Sequence, residues 1–170
     1  MDSSHQASAV RQASTVMVLR TSSCGLEVFM IQRNRKTGFM PNAWVFPGGR
    51  VDPEDADETL PIKGGMRACE QMGLSRQEGH PFLVAAIRET FEETGIWLGE
   101  GVLSEVNRES VMSMTASFRD VLLSAEACVD LDRLYPWSWW VTPKIEPRRY
   151  DTRFFVAFTD TAKQGLHDSR

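Results

Sequence analysis

The sequence predicts a single α+β domain in which short strands, some joined as hairpins, interleave with helices. Three observations carry this reading. Short β-branched and apolar runs alternate with turn-rich segments. One stretch around residue 88 has the apolar spacing of a helix packed on a core. A length of 170 residues with ordinary apolar content is enough for one proper core.

Residues 15–20 and 27–33 are apolar or β-branched runs separated by Thr21-Ser22-Ser23-Cys24-Gly25, which reads as a hairpin. Residues 34–43 are polar with Gly38 and Pro41, and residues 43–46 form a third strand leading to Gly48-Gly49. Residues 56–80 carry acidic, Pro and Gly residues at both ends around a short helix at 66–72, and are expected to be a surface insertion. Leu83, Val84, Ile87 and Phe91 then form the apolar stripe of a helix that Gly95 stops. Residues 104–124 have helical periodicity, while 137–142 and 153–159 read as strands. Trp137, Trp139 and Trp140 are expected in the core, with nucleobase stacking as the alternative. The domain is taken as residues 15–170, and residues 1–14 as a flexible polar tail without a secretory or anchoring pattern.

Net charge is −4 and no lysine or arginine block is present, which argues against extended nucleic-acid binding and leaves a small phosphorylated metabolite open. No apolar stretch suits a membrane. Cys24, Cys69 and Cys128 have neither metal-ligand nor redox spacing, so they read as reduced thiols of a cytoplasmic protein. His5, His80 and His167 share no spacing and read as surface residues.

The most informative stretch is Arg88-Glu89-Thr90-Phe91-Glu92-Glu93-Thr94-Gly95-Ile96. At about 100° per residue, Glu89, Glu92 and Glu93 share one face of the helix opposite its apolar stripe. They sit in its last two turns, where the helix dipole favours cations and each exposed anion loses about 0.3–1 kcal/mol. Their i,i+3 and i,i+4 repulsion adds a few tenths more. Arg88 can neutralise only part of this charge, so a divalent cation with oxygen ligands is the simplest remaining partner. A solvated acidic face is the alternative.

This run resembles the signature of the Nudix hydrolases, G-x5-E-x7-R-E-U-x-E-E-x-G-U with U a bulky aliphatic residue. Arg88, Glu89, Glu92, Glu93, Gly95 and Ile96 meet every invariant letter of its second half. Thr90 stands at the first U, Asp55 stands where counting from Gly49 gives the family Glu, and 32 residues replace the seven between that position and Arg88. A box split by an insertion of about 25 residues, with Trp44-Val45-Phe46-Pro47-Gly48-Gly49 before it, is similar to the Nudix subgroup containing the peroxisomal-type coenzyme A diphosphatases.

The resemblance implies a Nudix-type α/β/α sandwich with a mixed sheet, and hydrolysis of a pyrophosphate linkage in a nucleoside diphosphate derivative. Coenzyme A or an acyl derivative leads; ADP-ribose or a dinucleotide is the alternative, and a non-catalytic nucleotide-binding module the alternative outside the enzymes. It further implies Mg²⁺ or Mn²⁺ held by Glu89, Glu92, Glu93 and the Gly49 carbonyl, with one glutamate as base and Arg88 orienting a glutamate. Arg33 and Arg50 are candidate phosphate contacts, and Arg148-Arg149 near Asp151 reads either as a substrate clamp or as a loop ion pair. The chain stops soon after the 153–159 strand, so the closing C-terminal helix of the family is expected to be missing, with a homodimer through the uncovered sheet face.

Overall fold

The structure, a computed structural model, describes residues 9–33 and 42–160. Its main sheet has the order β2-β1-β10-β9, with β5 pairing β1 on the edge that β2 also uses, away from β10. These strands are β1 (Arg11–Ser22), β2 (Gly25–Val28), β5 (Gly48–Arg50), β9 (Tyr135–Val141) and β10 (Tyr150–Phe158). β1 and β10 run parallel from Arg11↔Tyr150 to Leu19↔Phe158, while β2, β5 and β9 pair antiparallel, so the sheet is mixed as expected. β3 (Ile31–Gln32) and β4 (Trp44–Val45) form a small ribbon, and β6 (Ile62–Lys63), β8 (Cys128–Asp130) and β7 (Gly99–Glu100) form a three-stranded sheet. The helices are α1 (Met66–Met72), α2 (Arg76–Thr94), α3 (Glu105–Met112) and α4 (Phe118–Ser124).

β1 is central because its sequence alternates: Val16 and Val18 point into the core and are almost wholly buried. α2 lies on this face against β1 and β5, with α1 and α3 beside it. Its segment from Phe82 to Arg88 is buried nearly all round, and the Ser14 hydroxyl donates to the Phe82 carbonyl at 2.7 Å, tying helix to sheet. The helix opens on a capping box in which the Ser75 hydroxyl and the Glu78 carboxylate each accept from the other's backbone N–H. It closes on Gly95 at φ 68°, whose N–H donates to the Phe91 carbonyl.

The helix at 66–72 and the stop at Gly95 lie where the sequence places them; the hairpin is present, but its second strand, expected over 27–33, is β2 at 25–28, with 31–32 in the separate β3–β4 ribbon. Three other boundaries differ, and His80, expected at the surface, is buried in the first turns of α2. β1 begins at Arg11, so residues 11–14 pair in the sheet and do not belong to a tail ending at 14. The insertion assigned to 56–80 ends early, because residues 76–80 are already the first turns of α2. Nor is it only a surface excursion: Leu60, Ala68 and Cys69 are buried and β6 pairs parallel with β8. Residues 104–124 are two helices, broken at 113–117. Trp137, Trp139 and Trp140 are exposed, at 71%, 59% and 62%, because β9 is the outer strand of the described sheet and lacks a neighbour to cover them. The expected missing C-terminal helix falls on residues 161–170, outside the described residues. No helix among the described residues is long and apolar enough to cross a membrane.

Thr90, the polar departure from the signature, is fully buried and donates its hydroxyl to the Ala86 carbonyl at 2.7 Å. Thr94 donates likewise to the Thr90 carbonyl and also accepts from the buried Ile96 N–H at 3.0 Å. The two threonines should therefore respond differently to the isostere valine. Thr90→Val leaves only a carbonyl that the helix already engages and should change stability by less than about 1 kcal/mol, whereas Thr94→Val orphans a buried donor and should cost about 1–3 kcal/mol. Denaturant midpoints of the two variants check this; equal losses would refute the assignment.

Candidate active site

Arg88 organises the end of α2. Its side chain is only 9% exposed, and all three guanidinium nitrogens donate: Nε to Asp55 Oδ1 at 2.8 Å, Nη2 to Asp55 Oδ2 at 2.9 Å and to the Arg50 carbonyl at 3.0 Å, and Nη1 to Glu89 Oε1 at 3.1 Å and Glu92 Oε1 at 3.2 Å. Asp52 lies 3.6 Å from Nη2. The paired bonds to Asp55 have the fork geometry that favours arginine over lysine. Burial works against the charge of Arg88, but hydrogen bonding to Asp55 and the charges of Asp55, Glu89 and Glu92 outweigh it and hold the guanidinium protonated.

Asp55 reaches this position from a 3₁₀ turn at Pro53–Ala56, where its carboxylate also accepts from the Asp52 N–H at 2.8 Å. At 2% exposure it serves as the buried counter-ion of Arg88.

The glycine pair meets the helix from the other side. Glu93 Oε2 accepts from the Gly48 N–H at 3.0 Å. A Cβ on Gly48 would stand 2.2 Å from the Ser14 carbonyl oxygen, and one on Gly49 2.3 Å from the Glu89 carboxylate. Gly48 thus needs glycine for its close approach to β1, whereas a side chain at Gly49 would displace the Glu89 carboxylate. Glu89, Glu92 and Glu93 line an open cleft of 690 Å³; Glu93 bonds the loop, the Glu89 carboxylate lies beside Gly49, and Glu92 turns to Arg88. The opposite wall is built from α3, α4 and the turn between them.

Burial pushes the Glu89 carboxyl above the usual range, Arg88 opposing and Glu92 and Asp55 adding to the effect. Glu92 is raised for the same first reason, again against Arg88, with Asp55 and Asp52 adding. One buried cation therefore faces four carboxylates, Asp52, Asp55, Glu89 and Glu92. Among the described residues no three His, Cys, Asp or Glu side chains converge on one point, since Glu89 and Glu92 turn to Arg88 and Glu93 to the loop. The chemistry of the donor set fits a hard divalent cation all the same: the donors are carboxylate and carbonyl oxygens, their charge exceeds that of Arg88, and added positive charge relieves the strain on Glu89 and Glu92.

The other candidates are more scattered. Arg50 contributes its carbonyl to Arg88 and lines a neighbouring concavity with Arg11, Asp52 and Asp151. Arg33 is half-buried, its N–H donating to the Ala43 carbonyl, and it is not part of the carboxylate cleft lining. Arg149 donates to the Thr142 carbonyl, and Asp151 accepts from Trp139 Nε1 at 2.6 Å and lies 3.7 Å from Arg153. Asp151 is thus engaged by Trp139 and Arg153, while the Arg149 guanidinium donates to a backbone carbonyl. The motif reading places Asp55 at the first acidic position of the signature, but its pairing with Arg88 shows only once the chain folds. Arg108 on α3, which donates through Nε to the Glu92 carbonyl at 2.6 Å and pairs with Glu105, escapes that reading altogether. Helical periodicity around residue 108 is a signal for α3 but not for that contact.

Fold and site together define an α+β domain that presents a carboxylate cluster at the end of its central helix, against a glycine loop. The NUDIX domain profile matches residues 10–166, and the chain belongs to the Nudix family. It is 30% identical over 154 residues to putative nudix hydrolase 7 of Caenorhabditis elegans, covering 87% of this chain and 44% of that protein. It is 32% identical over 189 residues to acyl-coenzyme A diphosphatase NUDT19 of Xenopus laevis, covering 84% of this chain and 49% of that one. The chain thus spans about half the length of the curated relatives it matches. Among solved structures, a NUDIX hydrolase from Alicyclobacillus acidocaldarius superposes with a TM-score of 0.76 at 25% identity, covering 95% of this chain and 75% of that one.

The raised carboxyls have a thermodynamic consequence. Their folded-state pKa values lie above the unfolded ones, so the folded chain binds more protons and stability falls as pH rises through that window. With divalent ions chelated, Glu89→Gln should therefore melt above the parent protein at pH 7, and the gap should close as pH falls and Glu89 takes up its proton. A variant that melts lower at pH 7 would contradict the assignment.

Proposed function

We propose that this chain is a divalent-metal-dependent pyrophosphohydrolase acting on a nucleoside diphosphate linked to a second moiety, with coenzyme A or an acyl derivative as the leading substrate. The observation that carries the reading is the surplus of carboxylates around Arg88 at the mouth of a cleft, set against Gly48-Gly49. The substrate choice rests on relatives named as acyl-coenzyme A diphosphatases in three vertebrates.

Mg²⁺ or Mn²⁺ held by Glu89, Glu92, Glu93 and the Gly49 carbonyl would supply Lewis-acid polarisation of the phosphoanhydride and a lowered pKa for attacking water. The chain's own residues do the rest. Arg88 holds Glu89 and Glu92 by charge-assisted hydrogen bonds, which fixes both carboxylates against their mutual repulsion. Asp55 keeps Arg88 in place. Glu93 braces the glycine loop through Gly48. A carboxylate whose proton affinity is raised by burial suits general-base work near neutral pH, which favours Glu89 or Glu92 for that role. Arg50 beside the loop, and Arg33, are the proposed phosphate contacts.

Glu92→Gln should keep the fold and lose at least about a hundredfold in rate, the scale expected when electrostatic stabilisation of a transition state is removed. Chelation should do the same. A product screen over coenzyme A, ADP-ribose, NADH and nucleotides tests substrate and mechanism together. Turnover of ADP-ribose or NADH in preference to coenzyme A would move the reading to the nucleotide pyrophosphatases. Absence of turnover with tight nucleotide binding would establish a non-catalytic module.

A further inference from the structure

The cleft is two-sided. Across from the glutamates its wall is apolar, made by Val111, Met112, Met114, Ala116 and Phe118. Its two polar members are tied back into the protein: Arg108 donates to the Glu92 carbonyl and pairs with Glu105, and the Ser117 hydroxyl accepts from the Asp120 N–H. Met114 is 91% exposed and held at φ 56° by a turn in which its own N–H donates to the Val111 carbonyl and Thr115 N–H to the Ser110 carbonyl. These two bonds are the left-handed stop of α3, and the turn they fix presents a large apolar side chain to solvent at the lip of the cleft. The wall is rigidly backed, since Phe118 stacks edge-on against Trp97 at 6.3 Å and Trp97 against Phe91 of α2 at 5.8 Å.

Resting on the pyrophosphohydrolase reading above, we propose that this α3–α4 wall is the specificity element of the site. It takes an alkyl arm attached directly to the scissile phosphoanhydride, the pantetheine type, in preference to a second nucleoside or sugar. A ribose or a base bound there would bury hydroxyl and ring-nitrogen groups against a surface made mainly of Val111, Met112, Met114, Ala116 and Phe118, which costs affinity. A pantetheine arm instead carries a gem-dimethyl carbon next to the ester methylene, so it offers methyl groups to Val111, Met112 and Met114 at the point where the substrate leaves the glutamates. The thioester lies a full arm further on, so the wall reads the arm and not the acyl chain.

The test compares kcat/KM for coenzyme A, a medium-chain acyl-coenzyme A and ADP-ribose in the parent protein, Met112→Ser/Met114→Ser and Met112→Leu/Met114→Leu. In the serine variant the selectivity for coenzyme A over ADP-ribose should fall about tenfold, through a raised KM for coenzyme A. The acyl-coenzyme A should fall in step with coenzyme A, and the leucine variant should restore the selectivity. Unchanged selectivity, an equal fall for ADP-ribose, or a loss confined to the acyl-coenzyme A would each overturn this inference while leaving the pyrophosphohydrolase reading standing. A parent protein that hydrolyses ADP-ribose but not coenzyme A would overturn both the inference and the substrate choice.

Discussion

The buried guanidinium of Arg88 is the interaction on which the site depends. It joins three pieces of chain that are far apart in sequence: the turn carrying Asp55, the carbonyl at the end of β5, and the last turns of α2. Burying an ion pair is costly, and removing one partner of such a pair leaves a charge whose desolvation is uncompensated, typically about 3–5 kcal/mol. The fold accepts that cost where Arg88 also fixes two glutamates that would otherwise repel each other on one helix face. The glycine loop follows from the same arrangement, since a β-carbon at either glycine would strike β1 or the Glu89 carboxylate.

Much of this was legible in the residues. The three glutamates announce themselves by being in the wrong place for a helix dipole, and Gly95 by the left-handed stop it supplies. The hairpin is legible because its strands alternate and its turn is rich in Ser and Gly. The start of α2 was hidden by Gly79 and Pro81, which read as the edge of an insertion, while the informative residues were Ser75 and Glu78, a capping box that starts the helix five residues earlier. The role of Asp55 was hidden for another reason: its partner lies 33 positions away, and no local pattern encodes a long-range ion pair. The tryptophans of β9 misled because aromatic strand residues are buried only when a neighbouring element covers them.

The insertion shows how a signature can be interrupted without being dismantled. Its two ends are pinned by the Asp55–Arg88 pair, and its middle is absorbed into the core through Leu60, Ala68 and Cys69 and into the second sheet through β6. The acidic helix and the glycine loop face each other as if the intervening chain were short, because the pair at the base of the insertion sets their separation.

The parallel pairing of β1 with β10 bears on how the chain reaches this state. The first and the last strands of the described chain lie side by side at the centre of the sheet, in register from Arg11↔Tyr150 onward. During synthesis, β1 therefore waits for its principal partner until nearly all the intervening chain has been made, and only the hairpin with β2 and the contact with β5 are available meanwhile. Long-range parallel pairing of this kind raises contact order and slows folding. The nascent chain carries β1 with its β10 edge open through most of its emergence, which makes the interval before β10 appears the one in which it most needs protection from aggregation.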